Sequence, residues 1–273
     1  MRGRDDGGGG GQVSVAAERI HPTALIAPDA ELADDVEVGP HAVIGPNVTV
    51  GPGVVIGPGA VLEHFVRLGA RCRVGTGSIL GGDPQDLKFK GEETWVEIGE
   101  GTVIREYTTI NRGTTQSYKT TVGRDCLLMS YVHLGHDCHV GDRVVLSNMV
   151  QLAGHVHVDE RATLGGMTGV HQFVHIGAYA FIGGFSKIAK DVPPYMKVDG
   201  NPARPYGLNV IGLRRNGFSR ETIAGLKQAY KHFFRSSYNI SQALERAAAE
   251  LPRTPEVERM VEFVRSSRRG VLL

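Results

Sequence analysis

The sequence predicts a parallel β-helix closed by a small α-helical domain, on three observations. Every sixth residue from Ile20 to Ile188 is Ile, Leu or Val, with Asp86, Glu92 and Gln116 the exceptions. Four residues past each aliphatic stop stands a small side chain, from Ala24, Ala30, Val36 and Ala42 through to Ala180, Ser186 and Val192. Beyond Pro193-Pro194 the spacing becomes that of amphipathic helices. Helices repeat at 3.6 residues and simple strands at 2, so a period of six demands a repeat architecture. In a hexapeptide coil each repeat makes one short side of a triangle. The aliphatic residue points inward, and the small one fits beneath it near the corner. Three hexapeptides close a coil, and about ten coils at the ~4.8 Å strand spacing give a prism roughly 45–50 Å long.

Each segment follows in order. Residues 1–15, with Gly7 to Gly11, are expected to be a disordered tail, and residues 16–192 the prism. The 37 glycines suit tight corners. Polar breaks at 81–97 and 113–121 interrupt the repeat and read as loops, where such folds place binding groups. Pro193-Pro194 should end the repeat, since paired prolines cannot serve in a ladder. Residues 193–273 are then expected to be helical. Ser219 caps a helix carrying Ile223, Leu226, Ala229, Tyr230 and Phe233, a second runs from about Ser241 to Leu251, and Thr254-Pro255 opens a third through Val264.

A formal net charge of +1 over 273 residues argues against a nucleic-acid binder driven by bulk electrostatics. From Pro193 onward, however, 14 Lys or Arg face 7 Asp or Glu. That surplus suits an anionic ligand or an acidic protein partner; the plainer reading is a solvated helical face. Cys72, Cys126 and Cys138 all occupy the small-residue position, where they are apolar fillers rather than disulfide or zinc ligands. A reducing, cytoplasmic setting is expected. No run of 18 apolar residues and no signal-peptide pattern is present.

Histidine carries the chemical signal. Seven of the eleven lie between His133 and His175. His133, His139, His157 and His175 share an outward-facing position, and the 18-residue separations predict that the last three stack. Such a column is a solvent-exposed or subunit-facing ladder, or else a metal site like the three-His zinc of γ-class carbonic anhydrases, whose ligand spacing these histidines match poorly.

His136-Asp137 stands inside Met129-Ser130-Tyr131-Val132-His133-Leu134-Gly135-His136-Asp137-Cys138. Here the chain resembles the UDP-N-acetylglucosamine O-acyltransferases that open lipid A biosynthesis. The likeness extends through Gln85-Asp86-Leu87-Lys88, Ile104-Arg105-Glu106, Leu152-Ala153-Gly154-His155, Gly165-Gly166-Met167-Thr168 and Val170-His171-Gln172-Phe173. It continues in Asp191-Val192-Pro193-Pro194-Tyr195, Gly212-Leu213-Arg214-Arg215 and Gly217-Phe218-Ser219-Arg220. The repeat is common to many acyltransferases; the Gln-Asp-Leu-Lys loop and the Gly-Leu-Arg-Arg and Gly-Phe-Ser-Arg segments are far more specific. The resemblance implies a left-handed coil, an exception to the usual right-handed crossover that periodicity cannot reveal. It also implies a homotrimer using acyl carrier protein as co-substrate, with no metal and no other cofactor.

The same resemblance assigns roles. His136 would be the base acting on the glucosamine 3-hydroxyl, with Asp137 beside it and the Gly154 backbone N–H as oxyanion donor. An alcohol needs such a base near neutral pH, and imidazole titrates in that range. Gln85, Asp86 and Lys88 would hold the sugar. His133, His155, His171 and Gln172 would lie about the sugar, phosphates and acyl group, while Asn209 and Arg215 would grip the nucleotide. Gly184 would mark the end of an acyl groove; lacking a side chain, it predicts a 3-hydroxyacyl group of about fourteen carbons rather than ten. The sequence departs from the family at Ile211, where an acidic residue is usual, at Asn216, where a basic one is usual, and in its His-Leu-Gly-His segment. Those departures bear on nucleotide binding and on packing beside the base. Rival readings are an N-acyltransferase using a 3-amino sugar, an acetyl-CoA-dependent transferase, a γ-carbonic-anhydrase-like zinc enzyme and a structural solenoid.

Overall fold

The computed structural model describes residues 19–273; the tail expected at 1–15 lies outside them. The chain winds as a left-handed parallel β-helix whose three sides are sheets of nine, eight and ten short strands, visited in rotation. The register advances by one 18-residue coil at a time: Val43 pairs with Leu25 below it and Val61 above. Ile44, Leu62, Leu80, Ile110, Leu134 and Leu152 form one inward column of fully buried side chains. Ala42, Ala60 and the three cysteines fill the space near the corners. Each cysteine thiol donates to a carbonyl one coil away, Cys138 to Ala153 O at 3.2 Å. Burial pushes Cys126 up to about 11 and Cys138 up to about 12, so neither is a thiolate nucleophile.

Corner geometry decides what this scaffold can present. The residue three past a core aliphatic turns through a positive φ: 58° at Asp137, 61° at His155 and 63° at Phe173. A non-glycine residue pays about 1 kcal/mol for that turn, and the stacked ladders on either side enforce it. Arg112 at the second insert apart, the residue two past the core aliphatic donates its N–H to no ladder carbonyl. Pro28, Pro40, Pro46, Pro52 and Pro58 sit there at no hydrogen-bonding cost. A non-proline residue at that position offers a free donor unless a neighbouring side chain claims it, as Asp142 Oδ1 claims Arg124 N.

Both breaks in the repeat leave from one edge. Ile79 pairs with Thr109 and Thr109 with His133, separations of 30 and 24 in place of 18. The inserts are whole multiples of six, so the period resumes in phase and Asp86, Glu92 and Gln116 land on its stops. The excursions themselves span 83–94 and 112–118, narrower than the breaks at 81–97 and 113–121 read from polarity. Gly81, Gly82 and Trp95–Ile98 are strand, as are Lys119–Val122, because their backbones pair across neighbouring coils even where polar side chains face outward. Each insert joins a strand of the first sheet to one of the second.

The proline pair does not end the sheet. Pro193 and Pro194 fall in a corner, and Met196–Asp199 resumes parallel pairing with Phe181–Ile182 before Arg204–Leu208 folds back antiparallel. Helices α1 (Val210–Arg215), α2 (Arg220–Phe234), α3 (Ile240–Glu250) and α4 (Pro255–Ser266) follow, the first unforeseen. Ser219 and Thr254 cap α2 and α4 as expected, and Asn239 with Gln242 forms a capping box on α3. Leu213, Ile223, Leu226 and Met260 join the prism's own core, so prism and helices share one hydrophobic interior. Arg259 clamps α4 to Glu160 at 2.5 Å.

The stacked histidines carry a pH consequence. Register places His139 under His157 and His157 under His175, with ring centroids 4.8 and 5.9 Å apart. Burial, chiefly, holds His133, His139 and His157 below the ordinary imidazole value. The unfolded chain therefore binds more protons than the native one once pH drops below about 6.5, and stability drains from there downward. Thermal melts are expected to lose several degrees between about pH 7.5 and 5.5, a fall reduced in His139→Gln/His157→Gln. An unchanged pH slope in the double variant would contradict this assignment.

Candidate active site

The edge that carries both inserts also carries the His136 column. His136, Gly154 and Gln172 occupy the free-donor corner position on three successive coils, and Asp137, His155 and Phe173 the positive-φ position beside them. The repeat therefore delivers these residues to one place without any sequence adjacency between coils. His136 Nδ1 lies 2.8 Å from Asp137 Oδ2, and His155 Nδ1 is 3.6 Å from the same oxygen. The two imidazoles meet edge to face at 4.8 Å, and His155 stacks flat on Phe173 at 4.3 Å. Side chains of His136 and His155 are 14% and 13% exposed, that of Asp137 1%.

Asp137 is the electrostatic centre. Burial alone would raise its carboxyl, but hydrogen bonds from His136, Ser117 and Thr114 outweigh it and hold the group far below the usual carboxylate range. The Thr114 N–H donates at 2.9 Å and its hydroxyl at 2.8 Å. A charged carboxylate accepts only, so His136 presents Nδ1–H to it and keeps its lone pair on Nε2. Two imidazoles and a carboxylate within 4.8 Å also have the make-up of a metal trio. Here both rings address one carboxylate oxygen that the 112–118 insert already supplies with protein donors. The arrangement is a hydrogen-bonded His136–Asp137 pair, with His155 in charge contact with the same carboxylate at 3.6 Å.

Gly154 is glycine because of the ring below it. A Cβ there would stand 2.6 Å from His136 Cε1 and 2.7 Å from Nε2. Gly154→Ala is expected to displace the imidazole and lower kcat about a hundredfold with little change in Tm; kinetics beside a thermal melt check this, and wild-type kcat would contradict it.

The first insert is strapped down over the same edge. Arg112, 2% exposed, pairs with Asp83 at one end of the loop and reaches Glu92 O at 3.2 Å at the other. Its guanidinium lies 5.3 Å from the Phe89 ring between them. Asp86 turns the loop by accepting from Lys88 N at 3.0 Å, and its charge reaches His155. Gln85 and Lys88 are exposed on this loop. His133 faces outward on the first sheet, bonded to Thr109 Oγ1 at 2.8 Å, and His171 stands with Gln172 on the coil above Gly154.

Other expected residues lie elsewhere. Asn209 and Arg215 line a groove of about 580 Å³ with Thr163, Phe181 and Lys197, on the third sheet. The Asn209 amide is committed to the fold: Oδ1 caps α1 by accepting from Gly212 N at 3.1 Å, and Nδ2 donates to Tyr179 O at 3.0 Å. Of the departures near this groove, Ile211 is exposed and Asn216 is tied to Arg161 and Gly212 O. Gly184 sits at the edge between the third and first sheets, directly over Gly166. Tyr107, Tyr131, Met149, Met167 and Phe185 run along that edge, all at least 40% exposed. The residues sequence reasoning missed are Thr114, Ser117 and Arg112. A polar insert in phase with the repeat was their only trace.

A left-handed hexapeptide prism bearing a carboxylate-held histidine at one edge defines a hexapeptide-repeat transferase. Models of two families match: bacterial transferase hexapeptide over residues 19–52, 47–82 and 119–154, and the second domain of UDP-N-acetylglucosamine O-acyltransferase over 191–272. The acyl-(acyl-carrier-protein)–UDP-N-acetylglucosamine O-acyltransferase of Chlorobaculum tepidum is 56% identical over 201 residues, 73% of this chain and 76% of that protein. Its namesake from Thermodesulfovibrio yellowstonii is 44% identical over 211 residues, 77% and 82% of the two chains. The solved UDP-N-acetylglucosamine acyltransferase of Bacteroides fragilis matches with a TM-score of 0.90 and 38% identity over 93% of this chain and 99% of its own. The chain belongs to the acyl-(acyl-carrier-protein)–UDP-N-acetylglucosamine O-acyltransferase family.

Proposed function

We propose that the protein transfers an (R)-3-hydroxyacyl group from acyl carrier protein to the 3-hydroxyl of UDP-N-acetylglucosamine, the first step of lipid A biosynthesis. The observation that carries this reading is the Asp137–His136 pair facing the bare Gly154 amide. His136 Nε2 takes the proton as the sugar oxygen attacks the thioester carbonyl. The carbonyl oxygen becomes an oxyanion beside the Gly154 N–H, and Asp137 stabilises the imidazolium. Collapse expels the carrier's thiolate, which recovers the proton from His136 and leaves as a thiol. The step uses no acyl-enzyme, no metal and no further cofactor. Asp86 and Lys88 with Gln85 supply acceptors and donors for the sugar; His133, His155, His171 and Gln172 surround it.

The acyl tail is assigned to the edge of exposed Met149, Met167 and Phe185, whose floor is the side-chain-free pair Gly166 and Gly184. Arg215 serves the nucleotide, its fork suiting phosphate, while Asn209, whose amide is taken up by Gly212 N and Tyr179 O, fixes the start of the helix that carries it. These groups stand on separate edges and faces of one prism, which favours a homotrimer whose neighbours complete one another's sites. No helix among the described residues is long and apolar enough to cross a membrane, and the free cysteines suit a cytoplasmic enzyme. The basic helices provide a dock for the acidic carrier.

Product analysis tests the reading. Purified protein given hydroxyacyl carrier, acetyl-CoA and both UDP-N-acetylglucosamine and its 3-amino analogue is expected to make an alkali-labile 3-O-hydroxyacyl ester, unaffected by prior EDTA. An amide or an acetyl product, or activity lost to EDTA and restored by zinc, would move the protein to one of the rival classes.

A further inference from the structure

We propose that Thr114 and Ser117 are positioning residues that set the basicity of His136 through Asp137, and that the 112–118 insert exists at this edge to supply them. The proposal rests on His136 being the base. The insert adds its residues at the corner directly below the buried Asp137 carboxylate. Its neck is tight: a Cβ on Gly113 would stand 2.3 Å from Lys119 N, and Tyr118 N bonds Thr114 O at 2.7 Å. Two hydroxyls and two amides of the loop turn inward onto Asp137, with Ser117 N at 3.3 Å from Oδ1 and the Thr114 donors spread over both oxygens. Ser117 Oγ has one proton and two candidate acceptors, Asp137 and Lys119 O at 3.0 Å; the charged and nearer carboxylate takes it. Gln116, between them, is exposed.

Such donors do two things. They fix the carboxylate's plane, so that Oδ2 stays on the His136 Nδ1–H. They also absorb part of its negative charge, which weakens its hold on an imidazolium. Other charged or titratable groups facing this pair are His155 on the coil above, His139 and the neutral Cys138 thiol on the same coil, Lys119 at the end of the loop and Asp86 on the first insert. None of these is altered by changing Thr114 or Ser117.

The test is the pH dependence of kcat/KM in the full-length enzyme. Thr114→Val/Ser117→Ala leaves more of the carboxylate's charge to His136. The acid limb is expected to move up by about half a pH unit while the plateau kcat falls about tenfold with KM little changed. Asp137→Asn is expected to move the limb the other way, and Thr114→Ser to behave as wild type. A double variant with wild-type limb and plateau overturns the proposal, and so does one that loses activity and Tm together without moving the limb. His136→Ala at wild-type rate would instead overturn the reading of the base beneath it.

Discussion

His136→Ala is expected to lower kcat by at least about a thousandfold while KM for both substrates and the thermal midpoint stay close to wild type. General-base catalysis by a positioned imidazole is worth about 10² to 10⁴ in rate. The upper part of that range applies here because the ring is already oriented by Asp137 at 2.8 Å and nearly withdrawn from water. Stability should hardly change, since the side chain lies at a corner outside the core column formed by Leu134 and Leu152. His133→Ala is the matching control. It removes an imidazole three residues earlier on the same coil, bonded to Thr109, and is expected to act mainly on KM. Steady-state kinetics of the two variants separate a base from a contact.

Gly184→Met is expected to reverse acyl-chain preference. Each methylene withdrawn from water contributes about 0.8 kcal/mol, so denying the last four costs roughly 3 kcal/mol, a few-hundredfold change in relative kcat/KM between fourteen- and ten-carbon donors. The neighbouring glycine supplies the control. A Cβ on Gly183 would lie 2.3 Å from the Asp199 carboxylate, so Gly183→Ala should cost stability without altering preference. A Cβ on Gly184 meets Gly166 O at 3.1 Å and Gly166 N at 3.7 Å; the first is relieved by a shift of a few tenths of an ångström and the second is ordinary contact. Competition between two acyl carriers reads the ratio directly; an unchanged ratio in the methionine variant would remove the ruler.

Much of this architecture was legible before any coordinates. A six-residue period is a strong constraint because each stop fixes both the inward column and the corner residues after it, and eighteen residues per coil then predicts which histidines stack. The period also explains why polarity misplaced the loop ends. Lys119, Thr120 and Thr121 are strand because their backbones pair, a fact side-chain polarity does not encode. Handedness was not legible from spacing, since a right-handed coil would carry the same repeat; it came from the family resemblance. The proline pair misled because ladder logic assumes a strand position, and both residues fall in a corner.

At the site, no sequence pattern marked Thr114 or Ser117, because their partner stands 23 and 20 residues away across one coil. The sequence named Asn209 by resemblance but could not foresee that its amide would cap α1 and bond Tyr179. Gly154 was assigned by resemblance as an oxyanion donor; what keeps it a glycine is the His136 ring packed against it.

The most direct test is the tautomer of His136, read by nitrogen-15 NMR of histidine-labelled enzyme and assigned with His136→Ala. In its neutral form the ring should carry its proton on Nδ1, toward Asp137, and leave Nε2 as the bare nitrogen. A neutral ring protonated on Nε2 would have no lone pair for the sugar hydroxyl, and the mechanism would be wrong.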